Sequence, residues 1–184
     1  MKKTAQVITR GFTLVELLVV IAIIAILAAV VVLIINPLEL TRRGRDAARL
    51  TDLANLQQAI NVAVQESTAS AQEILCKGVG TATCTNKSNV GSRATNGGGW
   101  VKVDLSTQNA VSVPTLPVDP SNGATYHYVY CADTTGGAAK WEIFATLESA
   151  QQTPKMGSDG GNDAARYEIG SDLTLDTTVV GCAY

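Results

Sequence analysis

The stretch Gly11-Phe-Thr-Leu-Val-Glu16 opens an apolar segment that continues to Ile35 and decides how the chain must fold. From Phe12 to Ile35, Thr13 and Glu16 are the only polar residues. As an α-helix that rises about 1.5 Å per residue, the segment spans about 36 Å, which exceeds the roughly 30 Å of a bilayer core. The sequence therefore predicts a membrane-spanning helix.

A short basic leader precedes this helix. It carries Lys2, Lys3 and Arg10 but has no apolar core of its own. A secretory signal peptide has its apolar region before the cleavage site, whereas here the apolar region follows the Gly11/Phe12 junction. This reversed order argues against an ordinary secretory signal.

The basic leader, the Gly11/Phe12 junction, the following Thr-Leu-Val-Glu and the uninterrupted apolar helix resemble the class III signal of type IV pilins and of the pseudopilins of type II secretion. The resemblance implies that a prepilin peptidase cuts after Gly11 and methylates the new amine of Phe12. It also implies that Glu16 is the assembly carboxylate, which pairs with the terminal amine of a subunit already in a filament.

Glu16 places a charge in apolar surroundings. A carboxylate costs a few kcal/mol at the bilayer centre and less near its edge, so we expect a partner for it. After cleavage, the amine of Phe12 would lie one helical turn away, and either this amine or a neighbour's could be that partner. The alternative is that Glu16 pairs only with its own N-terminus or snorkels to the interface.

Size and charge limit what the rest of the chain can be. The 184 residues leave room for one modest domain beyond the helix, so we do not expect a multidomain enzyme. The chain has 14 basic and 16 acidic residues, and removal of the three basic leader residues leaves a net charge of −5. Charge therefore does not indicate general binding to nucleic acid or to anionic lipid.

Four cysteines follow the predicted helices: Cys76, Cys84, Cys131 and Cys182. With His127 as the single histidine, a zinc cluster is poorly supported, and the even count behind an export helix favours two disulfides. We favour Cys76 with Cys84 and Cys131 with Cys182, although three connectivities are possible and free buried cysteines are an alternative. Disulfides need an oxidising compartment, so we place the leader in the cytoplasm and the rest outside.

Asn36-Pro37 follows the apolar run and predicts a helix break, because proline lacks the amide hydrogen and its ring clashes with the preceding turn. The same residues can start a second helix, with Asn36 as N-cap and Pro37 at the first helical position. Apolar residues then recur at steps of three and four on one face: Leu50, Leu53, Leu56, Ile60 and Val64. We expect this amphipathic helix to pack on the C-terminal domain.

Four arginines lie on the predicted second helix: Arg42, Arg43, Arg45 and Arg49. The leader has three basic residues, so the positive charges on the two sides of the apolar segment are nearly balanced and do not decide its orientation. The cysteines decide it, because disulfides form on the oxidising side. We expect a solvated face with local ion pairs. Contact with acidic lipid headgroups or with carboxylates of neighbouring subunits is the alternative.

The remaining sequence favours strands. Residues 76–99 are rich in Gly, Thr, Asn and Ser and predict a loop. Residues 100–105, 126–131 and 141–147 carry β-branched and aromatic residues and predict at least three antiparallel strands, with Gly136-Gly137 as a hairpin turn. We expect a last strand over residues 173–180, locked by Cys182.

Two loops are similar to features of major pseudopilins. Pro117-Val-Asp-Pro120 before Tyr126-His-Tyr128 resembles their turn before a tyrosine strand, and a plain turn is the alternative. Residues 158–163 form a candidate calcium loop, because calcium takes six to eight oxygens. Its candidate ligands are Asp159, Asn162 and Asp163. Gly157-Ser-Asp-Gly160 matches the pseudopilin calcium loop, but the downstream carboxylates depart from it, and a solvated turn is the alternative.

The sequence contains no catalytic nucleophile motif, phosphate loop or dinucleotide fingerprint, so we expect no enzyme and, apart from calcium, no cofactor. The expected fold class is α+β and pilin-like: a long bipartite N-terminal helix packed on a small antiparallel β-sheet domain. Its parts are the leader 1–11, the transmembrane and assembly helix 12–35, the amphipathic helix 36–73 and the disulfide-containing β-rich domain 74–184.

The resemblance implies a structural pilin that polymerises with copies of itself into a type IV pilus for adhesion, twitching motility or DNA uptake. Its other partners would be the prepilin peptidase and the pilus assembly platform with its ATPase. The subunit would span the inner (cytoplasmic) membrane once before assembly and then join an extracellular filament. The alternative is a pseudopilin in a short periplasmic pseudopilus, and a third hypothesis is a membrane-tethered binding module that never polymerises.

Overall fold

The chain passes from helices to strands and has an α+β, pilin-like arrangement. This computed structural model describes residues 11–108, 110, 112–175, 182 and 184. The chain divides into two compact units, Met1–Leu40 and Thr41–Tyr184. We describe each unit separately below.

The first unit contains helix α1, Leu14–Ile35. Every side chain described in this helix is exposed. Its segment Leu14–Val32 has a mean hydropathy of 3.2 over 19 residues, so its length and composition suffice to cross a membrane. Asn36 ends the helix with φ 45° and ψ 77°, a left-handed conformation that asparagine tolerates better than most residues.

Helix α2, Pro37–Glu66, begins directly after this break. The Asn36 side-chain oxygen accepts a hydrogen bond from the Glu39 amide at 3.4 Å. Pro37 occupies the first helical position, where its missing amide hydrogen costs nothing. The predicted second helix is interrupted after Glu66, and a short helix α3, Ala71–Leu75, starts anew with a capping box of Ser70 and Glu73.

In the described part of the chain, four antiparallel strands form one sheet in the order β1-β2-β3-β4. Their bounds are Thr83–Lys87, Val129–Asp133, Lys140–Ala145 and Tyr167–Gly170. Gly136 and Gly137 connect β2 to β3 with φ values of 69° and 85°, which favour glycine. The antiparallel sheet and the glycine turn are therefore as the sequence predicts.

Helix α2 packs on one face of this sheet. Its buried residues recur at helical spacing: Asp46, Arg49, Leu53, Leu56, Ala59, Ile60 and Ala63. The apolar ones share a core with Tyr128, Tyr130, Trp141 and Ile143. Burial of each large apolar side chain contributes about 1.5–3 kcal/mol, so this face is the main source of domain stability. Leu50 and Val64 are only partly buried.

The opposite face of the sheet has its own small core. Val129, Cys131 and Phe144 pack there with Leu175 and Cys182. Disulfides join Cys131 to Cys182 and Cys76 to Cys84, the pairing favoured from the sequence. The predicted strand over residues 173–180 falls largely outside the described residues.

The strand prediction for residues 100–105 is wrong. Trp100, Val101, Val103 and Leu105 are buried, but residues 100–105 make a single isolated bridge, between Asn96 and Asp104. These apolar residues alternate with polar ones because their side chains fill the core, and not because they pair with a neighbouring strand.

Two strands lie where none was predicted. β1 falls inside the predicted loop 76–99, and β4 is formed by Tyr167–Gly170. Neither segment has a long apolar alternation. Pairing with β2 and β3 stabilises them instead, and the Cys76–Cys84 disulfide fixes β1 next to α3.

The prediction of a solvated arginine face is wrong for Arg49, whose side chain is fully buried. Its Nε and Nη2 donate to the two carboxylate oxygens of Asp119 at 2.6 and 2.9 Å. Its Nη1 lies 2.8 Å from Asp46 Oδ1 and 2.6 Å from Glu148 Oε1. Arg45 donates to both oxygens of Glu148, at 2.8 and 2.5 Å.

We call Arg45, Asp46, Arg49, Asp119 and Glu148 the Arg49 cluster. Asp46 also accepts hydrogen bonds from the backbone amides of Glu148 and Ser149. The cluster therefore joins the beginning of α2 within the domain to two distant loops. Hydrogen bonds from Arg45 and then Arg49 lower the pKa of Glu148 to about 2, against the raising effect of burial.

The variant Glu148→Gln is expected to lower the melting temperature at pH 7 by about 5 °C, the shift for roughly 2 kcal/mol of charge-assisted hydrogen bonding in a protein of this size. The folded-state pKa lies below the ordinary value of 4.5, so the unfolded chain takes up the proton first. The stabilisation is complete above pH 4.5 and is lost as the pH falls towards about 2.

Circular dichroism of the full chain in detergent micelles at pH 7, 4 and 3 measures this effect. The melting temperatures of wild type and variant should converge as the pH falls. Glu66→Gln, at the exposed end of α2, is the matched control and should change little. A difference between wild type and Glu148→Gln that stays constant down to pH 3 contradicts the assignment.

Candidate assembly site

The first turn of α1 holds Glu16 in a defined position. Thr13 is the N-cap, and its hydroxyl accepts a hydrogen bond from the Glu16 amide at 3.2 Å. The backbone amide and the hydroxyl of Thr13 both donate to Glu16 Oε2, at 2.9 and 2.7 Å. This reciprocal capping box satisfies donors at the helix start that have no partner within the helix.

The capping box uses one carboxylate oxygen of Glu16. In the part of the chain that the structure describes, Oε1 of Glu16 has no hydrogen-bond partner, and the side chain is exposed. A carboxylate with one oxygen satisfied and one open can still accept a cationic donor such as an ammonium group. The geometry thus leaves Glu16 chemically competent to pair with an amine.

The residues around the predicted cleavage junction are accessible. Gly11 and Phe12 lie before the first helical residue, and Phe12 is 77% exposed. Among residues 11–108 and the other described parts of the chain, a Cβ placed on Gly11 would meet no atom within 4 Å. The peptide bond between them therefore lies in non-helical chain, which a protease can bind in extended form.

Sequence reasoning missed both polar arrangements described above. The capping box has a recognisable signal, since Thr13-Leu-Val-Glu16 fits the pattern Ser/Thr-x-x-Glu before an apolar run. The sequence signal for the Arg49 cluster is weaker. Asp46 and Arg49 continue the buried stripe of Leu53 backwards by steps of four and three, so they occupy core positions of α2.

The Pro117-Val-Asp-Pro120 turn has a structural role that the sequence does not reveal. Asp119 is buried, pairs with Arg49 and also accepts hydrogen bonds from the amides of Ser121 and Asn122. The turn therefore presents a carboxylate to α2.

His127 is packed rather than arranged for catalysis. Its Nδ1 lies 3.1 Å from the Gly123 carbonyl oxygen, and its ring stacks on Tyr184 with centroids 4.2 Å apart. Burial lowers the pKa of His127. Neither contact brings a nucleophile to the imidazole.

The candidate calcium loop is held by its own backbone. Asp159 accepts hydrogen bonds from the amides of Gly161 and Glu168 at 3.0 and 2.8 Å. Asp163 accepts one from the Ala165 amide at 2.8 Å. Among the described residues, no three acidic, histidine or cysteine side chains form a group that could hold a metal. These residues do not fit a preformed calcium cage, although calcium binding at Asp159, Asn162 and Asp163 remains a prediction.

Calcium is tested by thermal unfolding of the full chain in detergent with 1 mM calcium or with a chelator. A calcium loop raises the melting temperature in calcium, because binding to the folded state alone stabilises it. The variant Asp159→Asn should then abolish the rise. An unchanged melting temperature in both solutions would rule out the calcium prediction.

Comparison with known proteins agrees with the geometry at the start of α1. A family model described as the prokaryotic N-terminal methylation motif matches residues 9–32. This motif is a structural signal of pilin-type subunits and does not define an enzyme family. No curated protein and no solved structure gives a significant match. The chain therefore carries, over residues 9–32, the class III prepilin signal that type IV pilins and pseudopilins share.

Proposed function

We propose that this chain is a structural pilin, which a prepilin peptidase cleaves between Gly11 and Phe12 and which then polymerises into a type IV pilus. The observation that carries the proposal is the first turn of α1, where one Glu16 carboxylate oxygen has no partner among the described residues. Apart from Glu16 this helix is apolar, and its described side chains are exposed. Such a helix needs a membrane or neighbouring helices around it.

The geometry of this turn supports a pairing of Glu16 with a neighbour's amine. The capping box depends on the Thr13 amide, which remains a peptide amide after cleavage at Gly11. Glu16 can thus stay fixed to its own helix while Oε1 accepts the amine of Phe12 from another subunit. An ion pair between a carboxylate and an ammonium group is strong in an apolar environment. It would also fix the axial position of one helix relative to its neighbour.

Partners and location follow from the same proposal. The subunit would lie in the inner membrane through α1 until an assembly platform, powered by an ATPase, transfers it to the growing filament. Adhesion, twitching motility or DNA uptake are the functions that such a filament supports. Two disulfides in the domain suit a filament exposed outside the cell.

A pseudopilin of type II secretion is the second candidate. The Pro117-Val-Asp-Pro120 turn before Tyr126-His-Tyr128 favours it, because this stretch resembles the turn before a tyrosine strand in major pseudopilins. Both candidates share processing and helix packing and differ in filament length and location.

Imaging distinguishes the two candidates. Electron microscopy of cells labelled with antibody to this chain should reveal long surface filaments if the chain is a pilin. Labelled cells without such filaments, despite a processed chain, indicate the pseudopilin. An intact Gly11/Phe12 bond in the mature protein contradicts both and revives a membrane-tethered binding module.

Substitution of Glu16 tests the assembly site. Glu16→Val is expected to permit cleavage after Gly11 but to abolish filaments, because the neighbour's amine loses its carboxylate. Glu16→Gln is the matched variant, since glutamine can still complete a capping box without the charge. Mass spectrometry of the N-terminus reports cleavage, and filament recovery by shearing reports assembly.

If charge pairing drives assembly, Glu16→Gln loses filaments as Glu16→Val does. Normal filaments from Glu16→Val would refute the pairing. If Glu16→Gln forms filaments and Glu16→Val does not, Glu16 contributes to assembly through helix capping and not through its charge.

A further inference from the structure

Tyr184 packs against the core on the second face of the sheet, next to Cys182 and Phe144. Its hydroxyl accepts a hydrogen bond from the His127 amide at 2.9 Å. The same hydroxyl lies 3.0 and 3.1 Å from the carbonyl oxygens of Thr125 and His127, to which it can donate. Tyr184 therefore links the part of the chain around Cys182 to the residues that lead into β2.

The Tyr184 ring covers the imidazole of His127. The two rings stack with 4.2 Å between their centroids and 20° between their planes, and His127 is only 3% exposed. His127 Nδ1 lies 3.1 Å from the Gly123 carbonyl oxygen. Because a carbonyl oxygen can only accept a hydrogen bond, Nδ1 carries the proton of the neutral ring. Nε2 is therefore the atom that would take up a second proton.

The surroundings of Nε2 oppose this second proton. Nε2 is buried and has no hydrogen-bond partner among the residues that the structure describes. A proton there would create a buried donor without an acceptor and would place a positive charge away from water. The guanidinium of Arg166 already lies 3.9 Å from the centre of the Tyr184 ring, so a second cation would be added beside the first.

Charged groups from three other parts of the chain act on the imidazole. Burial is the main cause that lowers the pKa of His127, and the positive charges of Lys87 and Arg166 lower it further. The Gly123 carbonyl and the Asp119 carboxylate act in the opposite direction. The balance is a lowered pKa, so the closed arrangement of Tyr184 over His127 excludes the proton.

We propose that Tyr184 closes over His127 and the second face of the sheet, and that protonation of His127 in acid releases this closure while the sheet stays folded. The strands keep their own pairing and the core on the helix-covered face, neither of which includes Tyr184. The Cys131–Cys182 disulfide keeps the released residue close to β2. The proposal concerns the domain alone and does not rest on the proposed filament function.

The closure should weaken in a defined pH range. The imidazole binds a proton more readily when Tyr184 is released, because water then reaches Nε2. The stabilisation by Tyr184 is therefore fully present above the ordinary pKa of 6.5 and declines as the pH falls below it. The stabilisation by Glu148 is lost only below pH 4.5, so the two effects can be measured separately.

An NMR titration of the full chain in nonionic detergent micelles tests the coupling between the two rings. The chain has one histidine, so isotopically labelled histidine gives a single imidazole signal. The wild-type pKa should lie below 6.5, and Tyr184→Ala should return it towards 6.5, because the ring no longer excludes water. Val79→Ala removes an exposed side chain in another loop and is the control. A wild-type pKa of 6.5 or above, or no change in Tyr184→Ala, would overturn the proposal.

Hydrogen exchange of the His127 amide tests the local opening, because this amide donates to the Tyr184 hydroxyl. At pH 7 it should be protected at least about 10-fold less than the amides of residues 130–132, which lie within the sheet. Between pH 7 and pH 5 its protection, corrected for the intrinsic exchange rate, should fall at least about 5-fold. His127→Asn should show no such fall, since asparagine can donate to the Gly123 carbonyl but does not titrate.

Two exchange results would contradict the proposal. Equal protection of amide 127 and amides 130–132 at pH 7 would mean that Tyr184 is released only when the whole sheet unfolds. An equal fall between pH 7 and pH 5 in wild type and His127→Asn would mean that another group controls the release. If Tyr184→Ala does not fold, Tyr184→Phe replaces it, because it keeps the ring and loses the hydroxyl. Amide 127 should then lose its protection at pH 7, and unchanged protection would overturn the closure.

Discussion

The guanidinium of Arg49 is buried, so carboxylates within the domain must neutralise its positive charge. Asp119, Asp46 and Glu148 supply that match, and each comes from a different part of the chain. Isolated buried charges cost many kcal/mol, and a pair is tolerated only when nearly all its donors and acceptors are satisfied. The positions of the Asp119 turn, the Glu148 loop and the first buried turn of α2 therefore depend on one another, and the apolar stripe from Leu53 onwards continues from this fixed point.

Glu16 faces the same physical constraint and meets it differently. Its neighbours along the helix are apolar, but only one of its two oxygens has a hydrogen-bond partner among the residues that the structure describes. Arg49 has its partners in the folded subunit, whereas Glu16 retains bonding capacity for a partner outside it. The Arg49 charge therefore stabilises the domain, whereas the Glu16 charge can direct association with another molecule. The proposed assembly site accordingly lies in the exposed apolar helix and not in the folded core.

Much of the architecture could be predicted because its causes are local. The uninterrupted apolar composition specifies α1, and Asn36-Pro37 supplies a steric reason for the break before α2. The Arg49 cluster could not be predicted in detail, because Asp119 and Glu148 lie far away in sequence. The strand predictions failed for a related reason: residues 100–105 have strand-like composition but no neighbouring strand, whereas Thr83–Lys87 has an unremarkable composition but pairs with β2. For the candidate site, the positions of Gly11, Phe12 and Glu16 follow from the motif, and Thr13-Leu-Val-Glu16 has the spacing of a capping box. That Thr13 binds a single Glu16 oxygen depends on side-chain geometry, which the sequence does not specify.

The Cys131–Cys182 disulfide couples the second face of the sheet to the redox state of the compartment. Cys131 is in β2, one of the two inner strands, and its partner lies 51 residues further along the chain. Leu175 and Cys182 cover Val129 and Phe144, so an unlinked tail would have to hold this small apolar layer by packing alone. Cross-linking such a long loop disfavours the unfolded ensemble. Under reducing conditions, the helix-covered face of the sheet would keep its core, whereas the opposite face would be covered by packing alone.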